Sequence, residues 1–120
     1  TVMEPSEEEA ARARGRGMRV IPTMIEEHDP DGERWDLILL CQTIDHLLDV
    51  QGALRTIRAM LEDDGLLFVD ITTRTRIKID HPYYLTPETM ADYFRRVGFK
   101  VLASGPDPDQ MHHNFVCRRA

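Results

Sequence analysis

The apolar positions of this chain switch between two periods, and the switches divide it into elements. Residues Leu37 to Gln42 run almost wholly apolar between polar flanks, too short a run for a free-standing helix. Such a run predicts a strand covered by helices on both faces. Asp45 and His46 break it abruptly. In open α/β sheets ligands bind just beyond the carboxyl ends of parallel strands, so this break is the first candidate for chemistry. Val50, Ala53, Leu54, Ile57, Met60 and Leu61 then recur with the 3.6-residue period of a helix, with Arg55, Arg58 and Glu62 turned outward. Asp49 is placed to cap that helix and Asp63-Asp64-Gly65 to end it. Leu66 to Ile71 is a second buried strand, so Trp35 to Ile71 forms one strand–helix–strand unit, parallel and right-handed.

The flanks follow the same logic. Thr1 to Glu4 reads as the end of a strand, and Pro5-Ser6-Glu7-Glu8-Glu9 opens a helix with Ser6 as cap and Glu9 as its capping-box partner. Arg12, Arg14 and Arg16 fall toward the negative end of that helix, and Gly15 and Gly17 stop it. Met18 to Thr23 predicts a short edge strand with Pro22 near its end. Downstream, Thr72 to Leu85 is irregular, with Arg74, Arg76 and Lys78 alternating ahead of His81-Pro82-Tyr83-Tyr84. Thr86 caps a helix with Pro87 in its first turn and an apolar stripe of Met90, Ala91, Phe94 and Val97, closed by Gly98. Phe99 to Ala103 and Asn114 to Arg118 are strands joined only by a loop, and so pair antiparallel. The resulting class is α/β: a mostly parallel sheet with helices on both faces and a C-terminal antiparallel hairpin.

Composition narrows the functions. The 120 residues make one modest domain, and 42% hydrophobic with 30% charged residues allows a core of ordinary size. A net charge of −6 argues against a non-specific nucleic-acid partner. No apolar run approaches the ~18 residues of a membrane span. Cys41 and Cys117 both lie in apolar strand contexts, which predicts buried, reduced thiols in a cytoplasmic protein. His112-His113, beside a turn, predicts solvated histidines, and no metal-ligand spacing is present. Val2-Met3 already reads as strand at the first residues, as expected of a chain cut from something longer.

Three stretches carry a family resemblance. They are Val2-Met3-Glu4-Pro5-Ser6; Trp35 to Leu40 with Asp45-His46-Leu47 behind it; and the helix, acidic-glycine turn and apolar strand of Leu54 to Ile71. In this order they resemble the class I S-adenosylmethionine-dependent methyltransferases, a Rossmann-like fold, over nearly the whole chain. The resemblance implies S-adenosylmethionine as cofactor and a small molecule as methyl acceptor. It implies that Glu4 binds the ribose hydroxyls, with Pro5 beside it. Thr23, Met24 and Ile25 fall at the adenine contacts, and Cys41 and Gln42 at the floor of the cofactor pocket. It also implies catalytic roles for His46, for His81 as a general base, and for Tyr84 in orienting the acceptor.

One feature of the family is missing: its first strand, with the glycine-rich loop after it. In that family's sheet the strand lies between the one ending at Glu4 and the one at Leu37 to Gln42. Without it, two strand edges need another partner. The candidates are a missing N-terminal segment, self-association, or direct pairing of Thr1 to Thr23 with Leu37 to Gln42, the alternative being that Thr1 to Thr23 docks loosely. Two other functions fit parts of the pattern. Glu4 would also suit the ribose of a nicotinamide dinucleotide in a dehydrogenase, although the final hairpin has no place there. A non-catalytic packing domain is the other.

Overall fold

The computed structural model describes residues 1–73 and 84–120. Its elements run β1 (Val2–Met3), α1 (Glu7–Gly15), β2 (Val20–Ile21), β3 (Trp35–Cys41), α2 (Val50–Met60), β4 (Leu61–Thr72), α3 (Pro87–Val97), β5 (Phe99–Pro106) and β6 (His112–Arg119), with 3-10 turns at Ile25–Glu27 and Ile44–His46. This is the expected mixed α/β architecture, parallel strands leading into a C-terminal antiparallel hairpin. β3 and β4 pair in parallel, with Leu37 opposite Leu66 and Cys41 opposite Asp70. β6 lies antiparallel between β4 and β5, with Val69 opposite Phe115 and Val101 opposite Cys117. The sheet order is therefore β3-β4-β6-β5, and among the described residues β3 is an edge.

β1 and β2 form a separate parallel pair, Val2 opposite Val20 and Met3 opposite Ile21. The direct pairing of Thr1 to Thr23 with β3 is not what forms. Two-residue strands already paired to each other have few backbone groups left to offer a third.

Strand alternation assigns the core to one face of the sheet. Leu67, Val69 and Ile71 of β4, Leu40 of β3, and Phe115 and Cys117 of β6 turn to the same side. They pack beneath Val50, Ala53, Leu54 and Ile57 of α2 and Met90 and Phe94 of α3. The opposite face of β3 is open. Leu37 is 53% and Leu39 58% exposed, so the expectation of a strand buried on both faces is corrected: the run is apolar on both sides, but helices cover one. Cys41 shares the open side and is exposed, contrary to expectation. Cys117 is buried, and desolvation pushes its thiol up to about 12.

Local signals succeed at α2 and α3. Asp49 accepts from the Gly52 N–H at 2.8 Å, and Thr86 from the Thr89 N–H at 3.2 Å. Gly98 closes α3 in the left-handed region, φ +85°, where a side chain would strain the backbone. Its carbonyl accepts from Arg58 Nε at 3.2 Å, tying α3 to α2. Ala91, placed in the buried stripe, is exposed. The acidic turn after α2 is drawn into β4 as an irregular start to its pairing with β3. Gly65 there comes so near the Trp35 carbonyl that a Cβ would lie 2.9 Å from it. At α1 the expected capping box does not form: Ser6 makes no side-chain cap, and its N–H donates instead to Glu4 Oε1 at 2.8 Å. Glu7, Glu8 and Glu9 pair along the surface with Arg12 and Arg14, contacts worth little to stability.

Phe94 is the keystone of the covered face, fully buried and edge-on to both Phe99 (6.2 Å between centroids) and Phe115 (5.3 Å). Phe94→Ala should cost about 3–5 kcal/mol in denaturant unfolding. A loss below about 1 kcal/mol would mean that α3 does not share one core with the sheet.

Candidate active site

The carboxyl ends of β3 and β4 and the tip of the β5–β6 hairpin converge into one polar mouth. β3 ends at Gln42, which takes the left-handed conformation, φ 51°, rare for a residue with a side chain. Its N–H donates to the Asp70 carbonyl at 3.3 Å, and its side-chain nitrogen lies 3.3 Å from His112 Nε2. The Thr43 hydroxyl donates back to the Cys41 carbonyl at 3.0 Å. In the 3-10 turn that follows, Asp45 is buried, 3% exposed, while His46 faces solvent.

Asp70 continues the outer face of β4, opposite Cys41 on one side and Asn114 on the other. Its Oδ1 is buried without a hydrogen-bond partner among the described residues. Burial raises this carboxyl above its ordinary value, opposed by His112 and reinforced by Asp107, Asp109 and Asp45. The hairpin tip is tightly braced. Gln110 N–H donates to the Asp107 carbonyl at 2.8 Å, Met111 N–H to Asp109 Oδ1 at 2.8 Å, and Asp107 N–H to the His112 carbonyl at 3.0 Å. The Met111 N–H chiefly, with His112 helping, holds the Asp109 carboxyl below its ordinary value. One potential ligand atom from each of Asp107, Asp109 and His112 lies within 4.8 Å of the others. Thr73 joins the tip to the end of β4: its N–H donates to the Met111 carbonyl at 2.9 Å, and its own carbonyl accepts from the Tyr84 hydroxyl at 3.4 Å.

The residues expected from sequence thus divide. Cys41, Gln42 and Tyr84 gather at the mouth. His46 stands beside it on the turn that buries Asp45. Glu4, half-buried at the end of β1, keeps Oε1 on Ser6, with exposed Pro5 beside it. Met24 is exposed while Ile25 packs against the core. Their turn is drawn toward the segment after His46 by Glu26, which accepts from the Leu48 N–H at 3.1 Å. His81 lies outside the described residues. A shallow depression of about 260 Å³ opens beside Glu4, lined by Val2, Glu9 and Arg12 among others. That is less than the ~300–1,000 Å³ of a typical ligand cleft.

Sequence reasoning missed Asp70, Asp107, Asp109 and His112. His112 is not the solvated histidine expected: its side chain is 20% exposed and its Nδ1 lies 3.0 Å from Asp109 Oδ2. The available signal was Asp107-Pro108-Asp109 three residues ahead of His112, a spacing that a hairpin folds back on itself.

Comparison with known proteins gives this geometry a context. A family model described as a methyltransferase domain matches residues 1–104. No curated protein sequence matches. Among solved structures, an S-adenosylmethionine-dependent methyltransferase from Thermotoga maritima is similar at 21% identity and TM-score 0.80, over 98% of this chain and 72% of that one. A glycopeptide N-methyltransferase complexed with S-adenosyl-L-methionine is similar at 13% identity and TM-score 0.78, over 98% and 76%. A 1,6-didemethyltoxoflavin-N1-methyltransferase from Burkholderia thailandensis, with S-adenosylhomocysteine bound, is similar at 21% and 0.77, over 98% and 60%. At these identities the likeness is one of fold.

Asp70 yields a prediction of definite sign. A carboxyl raised by folding stabilises the protein only below its unfolded value, and that contribution is lost as pH rises through the folded value. At neutral pH the ionised group is therefore a cost. Asp70→Asn should raise Tm at pH 7, and the gain should shrink as pH falls toward about 4. A drop in Tm at pH 7 would show that the carboxylate is held by a favourable partner instead.

Proposed function

Because this chain belongs to the methyltransferase domain family, we propose that it transfers the methyl group of S-adenosylmethionine to a small-molecule acceptor at the mouth formed by β3, β4 and the β5–β6 hairpin. The observation that carries this reading is the family match across residues 1–104, joined to a polar, partly desolvated mouth at the carboxyl ends of β3 and β4. The nicotinamide reading has no such support.

The residues present fit part of the cofactor. Glu4 keeps one carboxylate oxygen on Ser6 and has a second able to accept from ribose hydroxyls. Exposed Met24 and the turn carrying Ile25 offer an apolar edge for the adenine, and the exposed end of β3 at Cys41 and Gln42 offers a floor. S-adenosylmethionine would supply an electrophilic methyl on a sulfonium leaving group, so most of the catalysis asked of the protein is positioning. Asp45, Asp70, Asp107 and Asp109 keep the mouth negative, which suits a cationic donor and disfavours nucleic-acid phosphate. Exposed Tyr84, anchored on Thr73, is placed to orient an acceptor. Free thiols at Cys41 and Cys117 suit the reducing cytoplasm.

The amino-acid end of the cofactor calls for a further strand and a glycine-rich turn, supplied from outside these 120 residues and paired along the outer edge of β3. Three observations favour this: among the described residues β3 has no neighbour on that side, Leu37 and Leu39 stand exposed beside it, and the depression near Glu4 is too small to enclose the ligand. Self-pairing of β3 edges is the competing occupant, and analytical ultracentrifugation separates the two.

Calorimetry with S-adenosylhomocysteine tests the reading. The chain alone should show no micromolar binding, and the completed protein should. In the completed protein, Glu4→Ala removes a charge-assisted contact of about 1.5–3 kcal/mol and should weaken binding at least about tenfold. Micromolar binding by the chain unaided would contradict the completion, and an unchanged dissociation constant in Glu4→Ala would remove Glu4 from the site.

A further inference from the structure

The hairpin brings His112 to the mouth with its two ring nitrogens in different company. Nδ1 lies 3.0 Å from Asp109 Oδ2, and Nε2 lies 3.3 Å from the Gln42 side-chain nitrogen. An ionised carboxylate only accepts and a carboxamide nitrogen only donates, so Nδ1 carries the proton and Nε2 presents its lone pair. With the ring neutral, these partners select one tautomer and turn its basic nitrogen toward the end of β3. Asp109 is itself fixed, because the Met111 N–H occupies its other oxygen at 2.8 Å.

Gln42 provides a second, independent observation. Its left-handed backbone, φ 51°, is a conformation uncommon for a residue other than glycine. That conformation accompanies the carboxamide's contact with Nε2. An N–H pointed at this lone pair is the contact that an acceptor O–H or N–H would make.

We propose that His112 Nε2 is the general base of methyl transfer, that Asp109 is its positioning residue, and that the Gln42 carboxamide holds the place an acceptor hydroxyl or amine takes. The proposal rests on the methyl-transfer reading above. In the step, the acceptor O–H or N–H bond breaks and its proton forms an N–H bond on Nε2. The electron pair left on oxygen or nitrogen forms the new bond to the methyl carbon. The C–S bond of the sulfonium donor breaks, its pair staying on sulfur as a thioether. The imidazolium then returns its proton to water through its exposed edge. Asp109 and Asp107 from the hairpin and Asp70 from β4 lie near the ring and stabilise the positive charge while it lasts. From the end of β3 the neutral Gln42 meets the ring.

Long-range 15N–1H correlation spectra of the histidine rings in the 120-residue chain test this without turnover. In the pH range where the spectra show a neutral ring, His112 should carry its proton on Nδ1 and leave Nε2 bare, and Asp109→Asn should mix the tautomers. Phenol at millimolar concentration should move the Nε2 resonance, and anisole, which lacks the O–H, should not. A neutral ring protonated at Nε2 in the unliganded chain, or equal responses to phenol and anisole, would overturn the proposal. So would micromolar Mg2+ or Zn2+ displacing the Asp109 contact, since the cluster would then be a cation site. In the completed protein, His112→Gln should lower transfer at least about 100-fold with S-adenosylhomocysteine affinity unchanged. If that protein does not bind S-adenosylhomocysteine while phenol still moves Nε2, the methyl-transfer reading fails and takes the base's role in methyl transfer with it, leaving Nε2 a proton acceptor for hydroxyl ligands.

Discussion

β3 has one satisfied edge and one satisfied face, and the arrangement of the site depends on that asymmetry. Toward β4 its backbone is bonded, and toward α2 its Ile38 and Leu40 side chains meet the core. The Gln42 N–H points to the Asp70 carbonyl, so by strand alternation Leu40 and Ile38 also turn their backbone groups to β4. Leu37, Leu39 and Cys41 turn theirs to the outer edge, where no strand lies among the described residues. Unpaired backbone groups are tolerated in water and costly when buried, so such an edge stays wet or takes another strand. Exposed Leu37 and Leu39 raise the cost of staying wet.

The covered face does the opposite work. α2 and α3 lie over Leu67, Val69, Phe115 and Cys117, tied to each other through Arg58 and Gly98. This rigid half holds the carboxyl ends of β3 and β4 level with the hairpin tip. With the apolar side chains spent on that face, the outward positions near the mouth are left to Asp70, Asn114 and His112. Asp70 is a cost to folding at neutral pH, and a carboxylate kept where it destabilises is a frequent mark of a site under functional demand.

Much of this was legible in the sequence, because it is governed by local periodicity and turn chemistry. The stripe from Val50 to Met60, the caps at Asp49 and Thr86 and the stop at Gly98 all depend on neighbours within a few residues. Burial of β3 was misread because an apolar run reports what a strand is suited to, while coverage depends on which helices are there to provide it. At α1 the Ser6 N–H, which the Glu9 arm of a capping box would bind, goes to Glu4 two residues away, and Ser6 makes no side-chain cap. His112 was passed over because its partners come from elsewhere: Gln42 is 70 residues distant in sequence, and Asp109 reaches it only once the hairpin folds back. A site assembled by pairing register leaves little trace in any single stretch.

Amide hydrogen exchange along β3 tests the open edge most directly. With the chain free and native, the amides of Ile38, Leu40 and Gln42 should be protected by β4, while those of Leu39 and Cys41 exchange at nearly the rate of an unfolded peptide. Protection of Leu39 and Cys41 equal to that of Leu40 would mean the outer edge is already paired, and would contradict the account of an incomplete cofactor site.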